Sequence, residues 1–325
     1  MKKILVILGP TGTGKTDLAL RLALLAQGEL VSADSRQVYK GLDIGTGKMP
    51  NKLKIENLKL KIKRGNGYWE IDGINIWMYD VADPKDQYNV ARFVSQANKV
   101  IKNINIRGKL PILVGGTGLY IKALTEGLSN LSLPVNLSLR KKLNEFSKED
   151  MQISLKKISP ERWKKMNYSD RQNPRRLIRA IELSSVQKIK LTWPNYETLK
   201  IGLTAPREVL YKRVDERVVE RINQGMIEEA KRLHKKGLSL KRMKQLGLEY
   251  GVLAKFLSGE IREIKGDKGL IKIMQGEIHG FVRRQLTWFK REKDINWFDI
   301  TQGNFATKVE KLVNGWYHQA HATEN

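Results

Sequence analysis

The sequence predicts an α/β fold, an open core of parallel strands interrupted by a mostly helical insertion. Three observations predict it. Short apolar, β-branched runs end in glycine-rich loops and pass into helical periodicity, at Lys2–Ala26 and again from Lys109 through Leu119. Repeated strand–loop–helix units of this kind pack as a parallel sheet with right-handed crossovers. Between 131 and 192 strand character gives way to basic helical segments, and Leu199–Thr204 then restores it.

Each element has its own signal. Lys2–Leu8 (KKILVIL) reads as a buried strand leading into Gly9-Pro10. Thr16–Ala26 places Leu18, Leu22 and Leu25 on one helical stripe. Glu29–Ala33 (ELVSA) is a second strand, ending at Asp34. From Gly41 to Asp83 the chain is rich in lysine and glycine, and the partial alternation of Tyr68–Val81 predicts a peripheral hairpin. Tyr88–Ile106 is an amphipathic helix through Val90, Phe93, Val94, Ala97, Val100, Ile101 and Ile104. Lys109–Val114 (KLPILV) is a third core strand, closed by Gly115-Gly116-Thr117-Gly118, with a helix from Leu119. Pro206 opens a helix after Leu199–Thr204. Residues 207–291 read as mostly helical, and the tail after Thr301 is expected to fray. The domain reading is a discontinuous core of 1–130 and 193–325 around an insertion at 131–192.

Charge narrows the partners. Sixty Lys+Arg against 34 Asp+Glu give +26, a surplus that attracts polyanions. The surplus is also placed. Residues 131–192 carry 15 basic and 6 acidic side chains and 231–293 carry 17 and 6, whereas 193–230 has 6 and 7. A uniform lysine bias would not leave that stretch near neutral. No cysteine is present, which excludes disulfides and thiolate metal sites, and the four histidines are scattered. The first apolar run, Ile4–Leu8, is too short for a signal peptide or membrane span, so a cytoplasmic protein without membrane association is expected.

Gly9-Pro10-Thr11-Gly12-Thr13-Gly14-Lys15-Thr16 matches G-x-x-x-x-G-K-[ST] in full, after a buried strand and before a helix. Its backbone N–H groups and the helix dipole cradle phosphate oxygens, Lys15 adds a point charge, and Thr16 offers a ligand to Mg²⁺. The core is therefore expected to be P-loop NTPase-like. A second acid in the usual place is missing, because the KLPILV strand ends in Gly115-Gly116-Thr117. The acid so positioned is Asp34, at the carboxyl edge where open α/β sheets bind ligands. It reads as a metal ligand, as a base for an incoming nucleophile, or as the cap of a following turn.

Further motifs carry a resemblance. Ser32-Ala33-Asp34-Ser35-Arg36-Gln37-Val38-Tyr39, Gly41-Leu42-Asp43-Ile44-Gly45-Thr46, Leu113-Val114-Gly115-Gly116-Thr117-Gly118-Leu119-Tyr120, Asn173-Pro174-Arg175-Arg176-Leu177-Ile178-Arg179-Ala180 and Arg284-Gln285-Leu286-Thr287-Trp288-Phe289 follow the phosphate loop in order. Together they resemble the bacterial-type tRNA dimethylallyltransferases, also called tRNA isopentenyltransferases, over residues 9 to about 290. The resemblance implies transfer of a dimethylallyl group from dimethylallyl diphosphate to N6 of adenosine 37 in the tRNA anticodon stem-loop. It implies that Gly9–Thr16, with Arg217, binds the diphosphate, that Lys15 and Thr16 assist catalysis with Mg²⁺ on Thr16, and that Asp34 is the general base. Ser35, Arg36, Gln37 and Thr117 would meet the extruded base. Arg175, Arg176, Arg179, Arg283, Arg284 and Gln285 would grip the RNA through phosphates and shape. A monomer is expected.

Several readings stay open at this level. Arg217 either reaches the pyrophosphate or forms a surface ion pair with Asp215 or Glu220. The arginines at 175–179 form an RNA grip or a solvated face, and Trp288 is core or a stacking platform. A small-metabolite kinase and a non-enzymatic RNA binder are the competing function classes, opposed respectively by the placed charge and by Asp34 beside an intact loop. One motif departs from its relatives: where many read I-G-Y-K-E, this chain has Leu246-Gly247-Leu248-Glu249-Tyr250, so an acid stands in place of a lysine.

Overall fold

The computed structural model describes residues 2–49, 61–128, 131, 135–184 and 196–318. The chain divides into two compact units, Met1–Thr125 with Asn195–Asn325, and Glu126–Pro194.

The larger unit begins with β1 (Lys2–Leu8), α1 (Lys15–Leu25), β2 (Glu29–Ser32), β3 (Ile62–Gly65), β4 (Tyr68–Ile71), β5 (Ile74–Trp77), α2 (Val90–Ile106), β6 (Pro111–Gly115) and α3 (Gly118–Thr125). The smaller unit holds α4 (Leu137–Leu143), α5 (Lys148–Ile158), α6 (Pro160–Lys165), α7 (Tyr168–Arg171) and α8 (Pro174–Ser184). The larger resumes with β7 (Tyr196–Thr204), α9 (Arg207–Asn223), α10 (Met226–Lys235), α11 (Leu240–Leu246), α12 (Leu248–Leu257), α13 (Leu270–Phe289), β8 (Ile295–Asp299) and α14 (Phe305–His318).

One eight-stranded sheet runs β3-β4-β5-β2-β6-β1-β7-β8. The six strands from β5 to β8 pair in parallel, and β4 and β3 add antiparallel at one edge. Continuous apolar sequence explains the centre. Ile4, Leu5, Val6 and Ile7 are fully buried on both faces, each burial stabilising by roughly 1.5–3 kcal/mol. Register is specific there, with Leu5 opposite Ile112 on one side and Leu199 on the other. Asn89 caps α2 by accepting from the Arg92 N–H, and Phe93, Ala97, Ile101 and Ile104 are its buried stripe. No helix among the described residues is long and apolar enough to cross a membrane.

Three expectations change. The hairpin is a three-stranded meander whose Trp69, Ile71, Ile74 and Ile76 enter the core, so it extends the sheet. The lysine-rich residues 50–60 preceding it lie outside the described ones. The tail does not fray before 318. It forms β8 and then α14, whose Val309 and Val313, one helical turn apart, are buried against the sheet. Trp288 is not core, being 36% exposed over Gly118.

The smaller unit has its own apolar centre, with Leu143, Met151, Leu155, Leu177, Ile178 and Ile181 buried together. Capping boxes at Ser147/Asp150 and Asn167/Asp170 start α5 and α7. Buried Glu182 holds Arg140 at 2.7 Å and Arg179 at 3.1 Å.

Glu29 staples β2 to the α2–β6 connection. It accepts from Trp77 Nε1 at 2.7 Å, Arg107 Nη2 at 2.7 Å and Lys109 Nζ at 2.9 Å. Burial alone would raise its pKa, but these three donors outweigh it and hold the group at about 2, against 4.5 for a free side chain. A depressed carboxylate stabilises the fold fully above its unfolded value and loses that contribution as pH falls through its folded one. Glu29→Gln is therefore expected to cost about 2–3 kcal/mol at pH 7, both cations being solvent-accessible enough to recover some hydration. The cost vanishes toward pH 2. Urea melts of both proteins from pH 7 to pH 2.5 check it; a pH-independent difference contradicts it.

Candidate active site

Because β2, β6 and β1 lie side by side in parallel, their following segments share one edge of the sheet. Gly9–Thr16 leaves β1, Ala33–Gln37 leaves β2, and Gly116–Thr117 leaves β6. They surround a cavity of about 300 Å³ whose other walls come from Thr46, Gly47, α9, Glu249 and α13.

The phosphate loop is shaped by backbone requirements. Gly9 has φ 140°, and a Cβ there would collide with the Leu203 carbonyl oxygen, so only glycine lets β1 and β7 approach. Gly14, left-handed at φ 78°, caps α1 without any side-chain hydrogen bond. The first N–H groups of that helix therefore face the cavity uncapped, an arrangement suited to an anion. Thr13 Oγ1 and Lys15 Nζ both donate to the Pro10 carbonyl, at 2.9 and 2.7 Å. Gln285 ties two loops together, accepting from Thr11 N at 2.9 Å and donating to the Gly116 carbonyl at 2.9 Å.

Two of the cations here are held at a cost, by burial and by a neighbouring arginine. Burial, then Arg217, lowers the Lys15 ammonium to about 7 despite the opposing pull of Asp34. Neighbouring Arg221, then burial, lowers Arg217 to about 9. Arg217 Nε is buried with no hydrogen-bond partner among the described residues, and its Nη1 lies 3.4 Å from Thr11 Oγ1. Burial raises the Asp17 carboxyl against Arg217 and Arg213. A polyanion entering this cavity would offset the strain on Lys15 and Arg217, though not that on Asp17.

Asp34 lines the same cavity. Its Oδ1 accepts from the Arg36 N–H at 2.9 Å, the hydrogen bond of a turn cap. Thr117 Oγ1 accepts from Ser35 N at 3.0 Å, and Thr117 N donates to the Ala33 carbonyl at 3.2 Å. Gln37 Oε1 accepts from Ser32 Oγ at 2.7 Å, while its Nε2 donates to the Thr46 and Gly47 carbonyls, both at 3.3 Å. Buried Lys48 steadies that neighbouring loop by donating to Tyr39 O at 2.7 Å and Asp43 Oδ1 at 3.0 Å.

The structure thus gathers Thr11, Gly12, Gly14, Lys15, Thr16, Asp34, Arg36, Gln37, Arg217 and Gln285 around one cavity, whereas Gly9, Pro10, Thr13, Ser35 and Thr117 do not line it. Arg217 forms no surface pair with Asp215, which instead meets His279 Nε2 at 2.8 Å. Gln285 is 5% exposed and both ends of its amide are used inside the protein. Arg283 and Arg284 are exposed on the same helix. In the smaller unit Arg175 is exposed, Arg176 pairs with Asp170, and Arg179 pairs with Glu182. Arg213, Arg221, Glu249 and Phe281 also line the cavity, unforeseen. The first two were legible: Arg213, Arg217 and Arg221 recur every four residues, one face of a helix. Glu249 was marked only as a departure from the family pattern, and nothing local in the sequence marks Phe281.

The donor set has a bearing on metals. Among the described residues no three His, Asp or Glu side chains gather to hold an ion. Thr16 and Asp17 at the head of α1 line the cavity, a sparse set that suits a hard cation sharing its shell with water and substrate oxygens.

Comparison with known proteins gives the chain a family. A family model described as IPP transferase matches residues 37–292, and one described as Isopentenyl transferase matches residues 2–61. The tRNA dimethylallyltransferase of Halothermothrix orenii is 37% identical, with 95% of this chain and 92% of that protein aligned. The tRNA dimethylallyltransferase 2 of Treponema denticola is 38% identical over 90% of this chain and 94% of its own. The crystal structure of the tRNA isopentenylpyrophosphate transferase from Bacillus halodurans superposes with TM-score 0.69 at 30% identity, covering 100% of this chain and 99% of that one. Matched by these family models over most of its length and by relatives of this identity and coverage, the chain belongs to the tRNA dimethylallyltransferases, the isopentenyl transferase family.

Proposed function

We propose that this chain transfers the dimethylallyl group of dimethylallyl diphosphate to N6 of adenosine 37 in tRNA, releasing pyrophosphate. One observation carries the reading: Lys15 and Arg217, both disfavoured as cations by burial and by a neighbouring arginine, line a single cavity together with Asp34. The cations suit a leaving diphosphate and the carboxylate suits an amine nucleophile.

In the step, N6 attacks the allylic carbon, the C–O bond breaks, and its electron pair leaves with the pyrophosphate. The N6 proton passes to the Asp34 carboxylate. An exocyclic amine is a poor nucleophile, so Asp34 acts chiefly by hydrogen bonding and aligning it. The N–H groups of Thr11–Thr16 hold the diphosphate, with Lys15 Nζ and the free Nε of Arg217 taking up charge that grows on it. Thr16 Oγ1 would hold Mg²⁺, which would supply Lewis-acid stabilisation of the leaving group. Gln285 positions the phosphate loop against Gly116 rather than contacting RNA. Ser35, Arg36 and Thr117 frame the entry of the extruded base. Exposed Arg175, Arg283 and Arg284 meet RNA phosphates, with the basic insertion at 131–192 as the grip on the anticodon stem.

The test uses purified protein, Mg²⁺, dimethylallyl diphosphate labelled in the prenyl group, and an anticodon stem-loop with adenosines at 36–38. Label on adenosine 37 is expected. Phosphoryl transfer from ATP to a small metabolite, with unlabelled RNA, would overturn the reading.

A further inference from the structure

The residue that replaces the usual lysine lies inside the site. Leu248, left-handed at φ 42°, follows Gly247 and turns the first residues of α12 toward the cavity. Such a conformation is strained for a branched side chain and persists only where its surroundings enforce it. Its effect is to bury Glu249, whose carboxylate is 7% exposed.

That carboxylate bridges two arginines. Oε2 accepts from Arg36 Nη1 at 3.1 Å, and Oε1 lies 3.5 Å from Arg221 Nη1. Arg221 Nη1 also donates to the Gly45 carbonyl at 3.0 Å, and a Cβ on Gly47 would strike its guanidinium, so this arginine has little room to move. Arg36 is additionally laid over the Phe281 ring at 4.8 Å. Yet Arg36 Nε is already 3.9 Å from Asp34 Oδ1. Without Glu249, nothing charged opposes its collapse onto the carboxylate that the reaction needs.

Charge makes the second half of the argument. Among the described residues, five cationic and five carboxylate side chains line the cavity, so its formal charge balances only because position 249 is an acid. A lysine in its place would leave six cations against four acids. A cavity of that charge would hold pyrophosphate tightly after transfer, whereas a balanced one releases it.

We infer that Glu249 is a positioning residue that keeps Arg36 off Asp34 and limits the site's grip on its product. Arg36 and Arg221 are committed to it, and Arg217 is left free for the diphosphate. The inference rests on the transferase reading above.

Glu249→Gln preserves shape and removes one charge. Pyrophosphate inhibition is expected to tighten about tenfold, the effect of one charge at this range in a partly solvated site. The kcat is expected to fall about tenfold while the KM for the donor stays level or drops, because Asp34 is obstructed but the cradle is intact. In the Arg36→Gln background the same substitution should no longer lower kcat, though it still tightens pyrophosphate. Thermal melts accompany each variant. A wild-type enzyme that transfers label beside a Glu249→Gln variant with unchanged kcat and pyrophosphate inhibition overturns this inference alone. So does a uniform loss that tracks lowered stability, with no split between kcat and KM. Absence of transfer in the wild type overturns the underlying reading instead.

Discussion

Asp34→Ala is expected to lower single-turnover transfer by roughly 10³-fold, within the usual span for a lost general base, while tRNA and donor bind within about threefold of wild type. The carboxylate accepts one hydrogen bond, from the Arg36 N–H, lies 3.9 Å from Arg36 Nε, and also lines the cavity. Its removal loosens a two-residue turn but leaves the phosphate cradle and the basic surfaces untouched. Asp34→Asn separates the two duties: it keeps an acceptor for the Arg36 N–H and loses the proton acceptor. It should fold like the wild type and still fail in transfer. Rapid-quench measurement with labelled donor, beside filter binding of tRNA, distinguishes these outcomes. A variant that loses RNA affinity in parallel with rate would mean that Asp34 holds the substrate rather than acting on it.

Lys15→Ala is expected to cost about 10²–10³-fold in kcat/KM for the prenyl donor, the range seen when one preorganised electrostatic group is removed from a developing anion. RNA affinity should change little. The ammonium donates to Pro10 O, and burial and then Arg217 disfavour its charge more than Asp34 favours it, so the cavity holds this cation at a cost. The diphosphate repays that cost, and most fully as the C–O bond lengthens and charge accumulates. Lys15→Arg is not expected to rescue, because a planar fork cannot occupy the place of a compact ammonium folded back on its own loop. Steady-state kinetics with donor varied at saturating RNA check the point. A loss confined to RNA affinity would contradict the assignment of the loop.

Much of this site was legible because its parts are local. β1, the Gly9–Thr16 loop and α1 form one continuous sequence signal, and an apolar run ending at Asp34 marks the second arm without any knowledge of pairing. What sequence hides is the order of strands. That Asp34 shares a cavity with Lys15 depends on β6 lying between β2 and β1, a long-range pairing that no local pattern encodes. β8 escaped for a related reason: Ile295–Asp299 is a half-exposed edge strand whose alternation is broken by Asn296 and Trp297, both exposed. α14 follows a polar turn, and its two buried valines become meaningful only once a sheet is there to receive them. Glu249 was visible as a departure from the family pattern. Its burial was not, because it depends on a left-handed leucine between two short helices.

The account stands most directly on the geometry of the ternary complex. A crystal structure with an anticodon stem-loop and a non-reactive thiolo analogue of dimethylallyl diphosphate measures it. The account predicts the diphosphate on the Thr11–Thr16 N–H groups and Arg217, with an Asp34 oxygen within hydrogen-bonding distance of adenosine 37 N6. A purine seated beyond reach of Asp34, or a diphosphate bound away from the loop, would contradict it.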